Sequence, residues 1–435
     1  MSYWNHALKL TIVIPALDEE KAIGQTIERC LAARRTIIAE SPVDDVEIIV
    51  VDDGSTDRTS EVARRYGKIR LINFEHNRGY GAAIKRGFDV GTGELVGFMD
   101  ADGTCNPVFF ATLCTALVED RASVAVGSRM GPDSRMPGTR RVGNRIYALI
   151  LSILSNQVVT DAASGMRVVR RDALGSLYPL PDGLHFTPAM TTRALMDGQL
   201  RIVERPMSYD ERVGESKLHV LRDGVIFLRT ILEMTLVWRP ARLFFMAALV
   251  GFAATLALAA HPIETWLTFG RLDRGLIHRL LFCSVLGTGS AALLGAGVLS
   301  HNICRLLDRR HTPTSFWVAA FDRVFTYKGL FVAAVIATAG LAWLVGPGAW
   351  SWLTGGHVDV VWPRVVLAAL IVFVLAQMSI TALLAGVLRF HVLRRSSGGD
   401  ARIAEQASAS TKSVGTSLPA PSPVGRSQPE ISLTT

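Results

Sequence analysis

The chain has 435 residues, 49% of them hydrophobic, and a net charge of +8. Length alone predicts two or three domains, and the positive charge comes without the basic stripe interleaved with aromatics, or the recognisable module, of a nucleic-acid binder. Basic residues beside apolar runs predict anionic lipid headgroups as the partner instead, and Cys30, Cys105, Cys114, Cys283 and Cys304 show no spacing that suits a zinc site or a disulfide framework.

Residues 1–9 contain no apolar core, so no cleaved signal peptide is expected. Residues 10–14 are a β-prone run closed by Pro15. Asp18, Glu19 and Glu20 then open a helical pattern through Ile23, Ile27 and Leu31, with carboxylates in the favourable first turn. A second strand over 46–51 ends in Asp52-Asp53-Gly54 and leads into a helix over 58–66. A third strand spans 69–73, and Gly79-Tyr80-Gly81 opens another helix. A fourth strand spans 95–99, and a fifth, over 124–127, closes on Ser128-Arg129. Strands alternating with helices of this length predict an α/β fold, a mostly parallel sheet with helices on both faces.

In such a sheet, ligands bind beyond the carboxyl ends of the strands. The fourth strand ends in Asp100-Ala101-Asp102-Gly103. Residues i and i+2 of an extended segment point the same way, so both carboxylates face one spot. Two hard anionic ligands suit Mg²⁺ or Mn²⁺ carrying a substrate diphosphate; a solvated turn is the plainer alternative, since Asp and Gly are ordinary turn residues. Carboxylates also mark the strand ends at Asp18-Glu19 and Asp52-Asp53, on the same edge, where they suit a nucleobase and a ribose. Gly79 and Gly81 lack the third glycine of a dinucleotide fingerprint, the turn at 15–20 has no glycine, and no Walker P-loop occurs.

Taken in order, Pro15-Ala-Leu-Asp-Glu19, Val51-Asp-Asp-Gly-Ser55, Asn77-Arg-Gly-Tyr-Gly81, Met99-Asp-Ala-Asp102, Gly127-Ser-Arg129, Asp161 with Ser164-Gly-Met-Arg167, and Arg212-Val-Gly-Glu-Ser-Lys217 resemble a family 2, GT-A fold glycosyltransferase. The resemblance is strongest to the dolichyl- or polyprenyl-phosphate mannosyl- and glucosyltransferases, and it covers residues 10–220. It implies a nucleotide-sugar site of Pro15, Leu17, Glu19, Val50, Asp52, Asp100, Ala101, Asp102, Arg129, Arg212 and Lys217. It also implies catalytic roles for Asp100, Asp102, Arg129, Arg212 and Lys217, and a metal on Asp100, Asp102 and Thr104. Arg141, Ser164 and Arg167 are candidates for the acceptor phosphate, with Lys9 or Arg140 as alternatives. The chain departs from the family pattern at Asp18, where Asn is usual, at Leu17, where some relatives have an aromatic, and at Thr104, where Gln or Ser is found. Ala189 stands where relatives carry Glu.

Residues 142–158 read as an amphipathic helix with Ile146, Leu149, Ile150, Ile153 and Leu154 on one face, suited either to the core or to a membrane interface. A second runs from 218 to 239 and, lying just before the apolar half, suits the interface. The apolar segments 243–260, 280–299, 330–345 and 365–388 each approach or exceed the ~20 residues that span a bilayer. The domains expected are therefore 1–217 catalytic, 218–239 interfacial, 240–395 membrane with about four spans, and a disordered Ser/Pro-rich tail over 396–435. Arg239 and Arg242, Arg305 to Lys328, and Arg389 to Arg395 place the catalytic domain and the C-terminus in the cytoplasm, at a multi-pass cell membrane protein. Gly287, Gly289, Gly295 and Gly297 allow close helix approach within the chain or in a homo-oligomer.

The expected activity is inverting transfer of a single hexose from a nucleotide-sugar, of the GDP-mannose or UDP-glucose type, to a polyprenyl or dolichyl phosphate. A processive polysaccharide synthase would carry a Gln-x-x-Arg-Trp motif, which Val237-Trp238-Arg239-Pro240 does not match. A non-catalytic lipid-glycan flippase or scaffold would not need the intact carboxylates.

Overall fold

In the computed structural model, which describes residues 7–213, 219–269, 274–307, 323–356 and 361–414, strand β1 (Leu8–Ala16) is buried along almost its whole length. Burial on both faces explains why the strand reads as a near-continuous apolar run. Leu10, Ile12 and Ile14 point into one core layer with helices α1 (Ile23–Glu40) and α4 (Phe110–Glu119). Val13 points into the opposite layer, formed with α3 (Tyr80–Val90) and α7 (Phe186–Met196). The short α2 (Thr59–Arg64) and α6 (Leu174–Leu177) lie along the connections.

The other strands are β2 (Val43–Asp52), β3 (Arg70–Asn73), β4 (Leu95–Phe98), β5 (Val124–Ser128), β6 (Arg167–Arg170) and β7 (Ile202–Pro206), in the spatial order β3-β2-β1-β4-β6-β5-β7. All pairings are parallel except those of β6, which runs antiparallel between β4 and β5. The mostly parallel α/β sheet with helices on both faces expected from the sequence is present, with β6 and β7 beyond the five strands read there. Both lack a sequence signal. Arg167-Val-Val-Arg170 is too short to show alternation, and β7 is closed by Pro206.

Two helices cross the carboxyl-end side of the sheet, α5 (Gly138–Ser155) and α8 (Val220–Trp238). They meet where the Tyr147 hydroxyl donates to the Gly224 carbonyl at 2.9 Å and the Tyr147 and Phe227 rings lie 6.1 Å apart. The apolar residues of α5 are divided between two faces. Ala148, Leu151 and Leu154 are buried, whereas Val142, Ile146, Leu149 and Ile153 are 52–61% exposed. Leu221, Val225, Leu228, Leu232 and Leu236 form a similar exposed stripe on α8.

At the end of α8 the catalytic domain is latched to the helical half. The Arg193 guanidinium stacks 3.3 Å from the Trp238 ring centroid, Arg239 Nε donates to the Met196 carbonyl at 2.7 Å, and Arg242 donates to the Leu154 carbonyl. Helices α9 (Pro240–Phe269), α10 (Arg274–Leu307), α11 (Tyr327–Gly355) and α12 (Trp362–Val414) follow, and each contains a stretch long and apolar enough to cross a membrane. Gly295 and Gly297 of α10 serve packing inside the chain, whereas a Cβ at Gly289 would meet nothing within 4 Å. A Cβ at Gly297 would lie 2.6 Å from the Phe245 ring on α9, and one at Gly295 would lie 2.5 Å from Thr381 on α12. Helix α12 continues to Val414, past Ser396, where composition places the start of a disordered tail. Residues 401–407 contain Ala, Arg, Glu and Gln, all good helix formers, which explains the extension.

Candidate active site

One cavity of about 550 Å³ opens at the carboxyl edge of the sheet. Its inner end is built by strand termini: Pro15, Leu17 and Glu19 after β1, Asp53 after β2, Asp100 to Asp102 after β4, and Arg129 after β5. Its outer end is built by α5 and α8, through Arg140, Asn144, Tyr147, Arg222 and Phe227. The floor of the inner end is stitched across the β1 and β2 turns. Asp18 accepts from the Thr56 amide at 2.7 Å and donates its own amide to Ser55 Oγ at 2.9 Å, while Asp53 accepts from the Arg78 and Gly79 amides.

Each carboxylate of the central pair has one oxygen held by a hydroxyl. Tyr80 donates to Asp100 Oδ1 at 2.7 Å, and Thr104 donates to Asp102 Oδ1 at 2.7 Å. On the other side, Asp102 Oδ2 lies 3.3 Å from Arg212 Nη1, and Asp100 packs against Gly165. A Cβ at Gly165 would sit 2.1 Å from Asp100 Oδ2, so the Ser164-Gly-Met-Arg167 turn needs glycine there. Burial, and then the neighbouring Asp102 charge, hold the Asp100 carboxyl well above the usual carboxylate range.

Arg129 donates its Nε and Nη2 to the two oxygens of Asp161, both at 2.8 Å, and its amide to Asp161 at 2.9 Å. Burial alone would push the Asp161 carboxyl up; the Arg129 guanidinium reverses this and holds it below the usual range. For Arg129 the same attraction outweighs burial and raises its pKa. Nη1 is the nitrogen that Asp161 does not take, and Arg129 lines the cavity.

The profile of glycosyl transferase family 2 matches residues 11–177. Over 358 residues the chain is 30% identical to the low-salt glycan biosynthesis hexosyltransferase Agl6 of Haloferax volcanii, covering 80% of this chain and 81% of that protein. The chain belongs to glycosyl transferase family 2. It is also 31% identical to a dolichyl-phosphate hexose transferase of the same organism, over 52% of this chain and 94% of that protein. A dodecaprenyl-phosphate galacturonate synthase of Rhizobium johnstonii is 26% identical, over 72% and 92%.

For a family 2 glycosyltransferase, the residues that the sequence singles out divide into those brought together and those kept apart. Pro15, Leu17, Glu19, Asp100, Ala101, Asp102, Arg129 and Arg212 line one cavity. Val50 does not; strand alternation turns it into the core beneath the sheet. Asp52 is buried and accepts from the Ser55 amide at 3.0 Å, closing its own turn. Thr104 is fully buried with its hydroxyl on Asp102, which makes it a brace for that carboxylate rather than a group facing the cavity. Lys217 lies outside the described residues.

The acceptor candidates fare worse. Arg167 is fully buried, with its guanidinium donating to the Ser164 and Ala162 carbonyls and to Thr191, and burial pushes its pKa down to about 10. Ser164 Oγ donates to the Gly127 carbonyl at 2.6 Å, and Arg141 turns back to the Ser134 carbonyl. Lys9 pairs with Asp45 at 3.3 Å on the opposite side of β1. Arg140 does line the cavity, and Arg222, Tyr147, His185 and Thr187 line it without having been singled out by any motif.

Among the described residues no group of three or more His, Cys, Asp or Glu side chains is arranged to hold a metal. The chain thus offers two carboxylates, which suits Mg²⁺ or Mn²⁺ completed by substrate phosphates and water. Asp100 and Asp102 line the same cavity wall, and burial and the Asp102 charge both disfavour the Asp100 anion, a cost that a bound cation relieves. Replacing Thr104 with valine, which is isosteric, removes the Asp102 brace. It is expected to raise the metal concentration needed for half-maximal activity about tenfold, as befits a hydrogen bond to a charged group. Thr104→Ser is expected to keep the original metal dependence in the same titration.

Proposed function

We propose that the protein transfers a single hexose, with inversion at the anomeric carbon, from a nucleotide-sugar of the GDP-mannose or UDP-glucose type to a polyprenyl or dolichyl phosphate in a bilayer. The observation that carries this reading is the continuity of the cavity. It runs from Asp100 and Asp102, where a donor diphosphate fits, to Arg140 and Arg222 on α5 and α8, whose outer faces are exposed apolar stripes. Helices with such stripes, next to membrane-length helices, suit the headgroup boundary. The relatives named for dolichyl and dodecaprenyl phosphates support the same acceptor.

In the reaction an acceptor phosphate oxygen forms a bond to the anomeric carbon. The bond from that carbon to the donor diphosphate breaks, and its electron pair leaves on the nucleoside diphosphate. A phosphate oxygen is already anionic, so the chain need not supply a general base; Arg129, Arg140 and Arg222 align the phosphate and the apolar helices exclude water. A divalent cation on Asp100 and Asp102 would neutralise charge on the leaving diphosphate. Arg212 and Lys217 would add further donors to it. The basic residues flanking the spans favour a cytoplasmic catalytic domain, where the donor is supplied.

The test is transfer of labelled sugar to polyprenyl phosphate by the full-length protein in detergent, with GDP- and UDP-sugars screened in turn. A lipid product carrying one sugar, formed only with divalent metal, is the expected result. Product carrying many linked sugars, or transfer only to a soluble acceptor, would sink the reading.

A further inference from the structure

Arg212 occupies an unusual place for a residue that serves a diphosphate. Its guanidinium bridges two carboxylates from different strand ends, Glu19 after β1 and Asp102 after β4. Glu19 and Asp102 are both nearly buried, so each ion pair is poorly screened. The backbone on either side is fixed to the same turn: the Asp210 amide donates to the Thr104 carbonyl at 2.9 Å, and the Val213 amide to the Asp102 carbonyl at 3.1 Å. Arg212 Nε, by contrast, is buried without a hydrogen-bond partner. The side chain is therefore well held by charge yet incompletely satisfied in its hydrogen bonding.

We propose that Arg212 is the resting counter-cation of the acidic site, competing with the divalent metal for Asp102 and releasing it only when a nucleoside diphosphate takes over the guanidinium. The inference rests on the donor reading given above and adds an order of binding to it. A metal ion and a guanidinium cannot share Asp102 Oδ2 without like-charge repulsion in a buried setting. A diphosphate offers the guanidinium fork the same planar pairing as a carboxylate. Once Arg212 turns to the diphosphate, Asp102 is free for the metal and Glu19 is free for the nucleoside. One side chain thus links the two carboxylates, and the linkage is reciprocal: nucleotide tightens metal binding, and metal tightens nucleotide binding by the same factor.

The test measures Mn²⁺ binding to the full-length protein in detergent by electron paramagnetic resonance, alone and with saturating GDP or UDP. The parent is expected to bind Mn²⁺ weakly alone and at least about tenfold more tightly with the nucleotide it accepts. Arg212→Ala is expected to bind Mn²⁺ alone about tenfold more tightly than the parent and to show a smaller enhancement by nucleotide, the part that remains coming from the diphosphate oxygens on the metal. Arg212→Lys, which keeps the charge but not the fork, should fall between them, and Arg212→Gln gives the same reading should the alanine variant fail to fold. If folded Arg212 variants bind free Mn²⁺ no more tightly than the parent, or keep the full enhancement, the counter-cation role is overturned and the donor reading stands. If no protein binds Mn²⁺ with either nucleotide, the donor reading falls and this inference with it.

Discussion

Asp102→Asn is expected to lower turnover by about 10³-fold or more while leaving the protein folded. A bound cation contributes several kcal/mol to stabilising a leaving group, and about 1.4 kcal/mol is worth tenfold in rate. Asn has the shape of Asp, and its carbonyl oxygen still accepts from the Thr104 amide and hydroxyl, so the turn at 100–104 keeps its internal bonds. The charge that faces Arg212 and the donor diphosphate is what goes. The fall should appear in kcat at saturating donor and should not be recovered by raising the metal concentration. Thermal unfolding of the variant should stay close to that of the parent, because Asp102 sits at a cavity wall rather than in a core layer. Near-normal turnover would remove Asp102 from the chemistry altogether.

The inner end of the candidate site was legible in the sequence because its residues end strands. A carboxylate after an apolar run needs only the topology of a parallel sheet to be placed, and Glu19, Asp100, Asp102 and Arg129 all arrive at one cavity that way. Val50 shows the limit of the argument. It precedes Asp52 by two residues and so shares its strand face, but that face is packed into the core, and Val50 lies within the strand rather than beyond its end. The acceptor end was legible only as chemistry. Arg140 and Arg141 are adjacent in sequence, but about 100° apart around α5, and only the first reaches the cavity. Arg222 and Phe227 enter from α8, some eighty residues on, through a pairing with α5 that no local pattern encodes. Arg167 was misread because β6 itself carries no signal. Without the strand there was no register to show that the guanidinium points inward.

The pair behind Arg129 yields the second large effect, and it falls on stability. Asp161 is fully buried and accepts three hydrogen bonds from Arg129 and one from the Ala163 amide. Asp161→Ala leaves the largely buried Arg129 guanidinium without its partner at the inner wall of the cavity, a change worth up to about 3–5 kcal/mol in fully buried pairs. That is a large share of the roughly 5–15 kcal/mol by which a domain is stable, so the unfolding midpoint of the purified protein should fall markedly. The direction with pH follows from the lowered pKa of Asp161. The contribution of its charge is fully present above the ordinary aspartate value, and in the parent it is lost as pH falls through the lower folded value. In Asp161→Ala this acid-side loss should be missing. Removing both charges, as in Asp161→Ala with Arg129→Met, should recover part of the stability, since the Arg129 charge is no longer left without its partner, while the fully buried Arg167 still loses the attraction of Asp161. Turnover should not return with it, because the cavity-lining Arg129 guanidinium proposed to align the acceptor phosphate is gone as well. A double variant that regained stability and turnover together would mean that Arg129 holds the fold and touches no substrate.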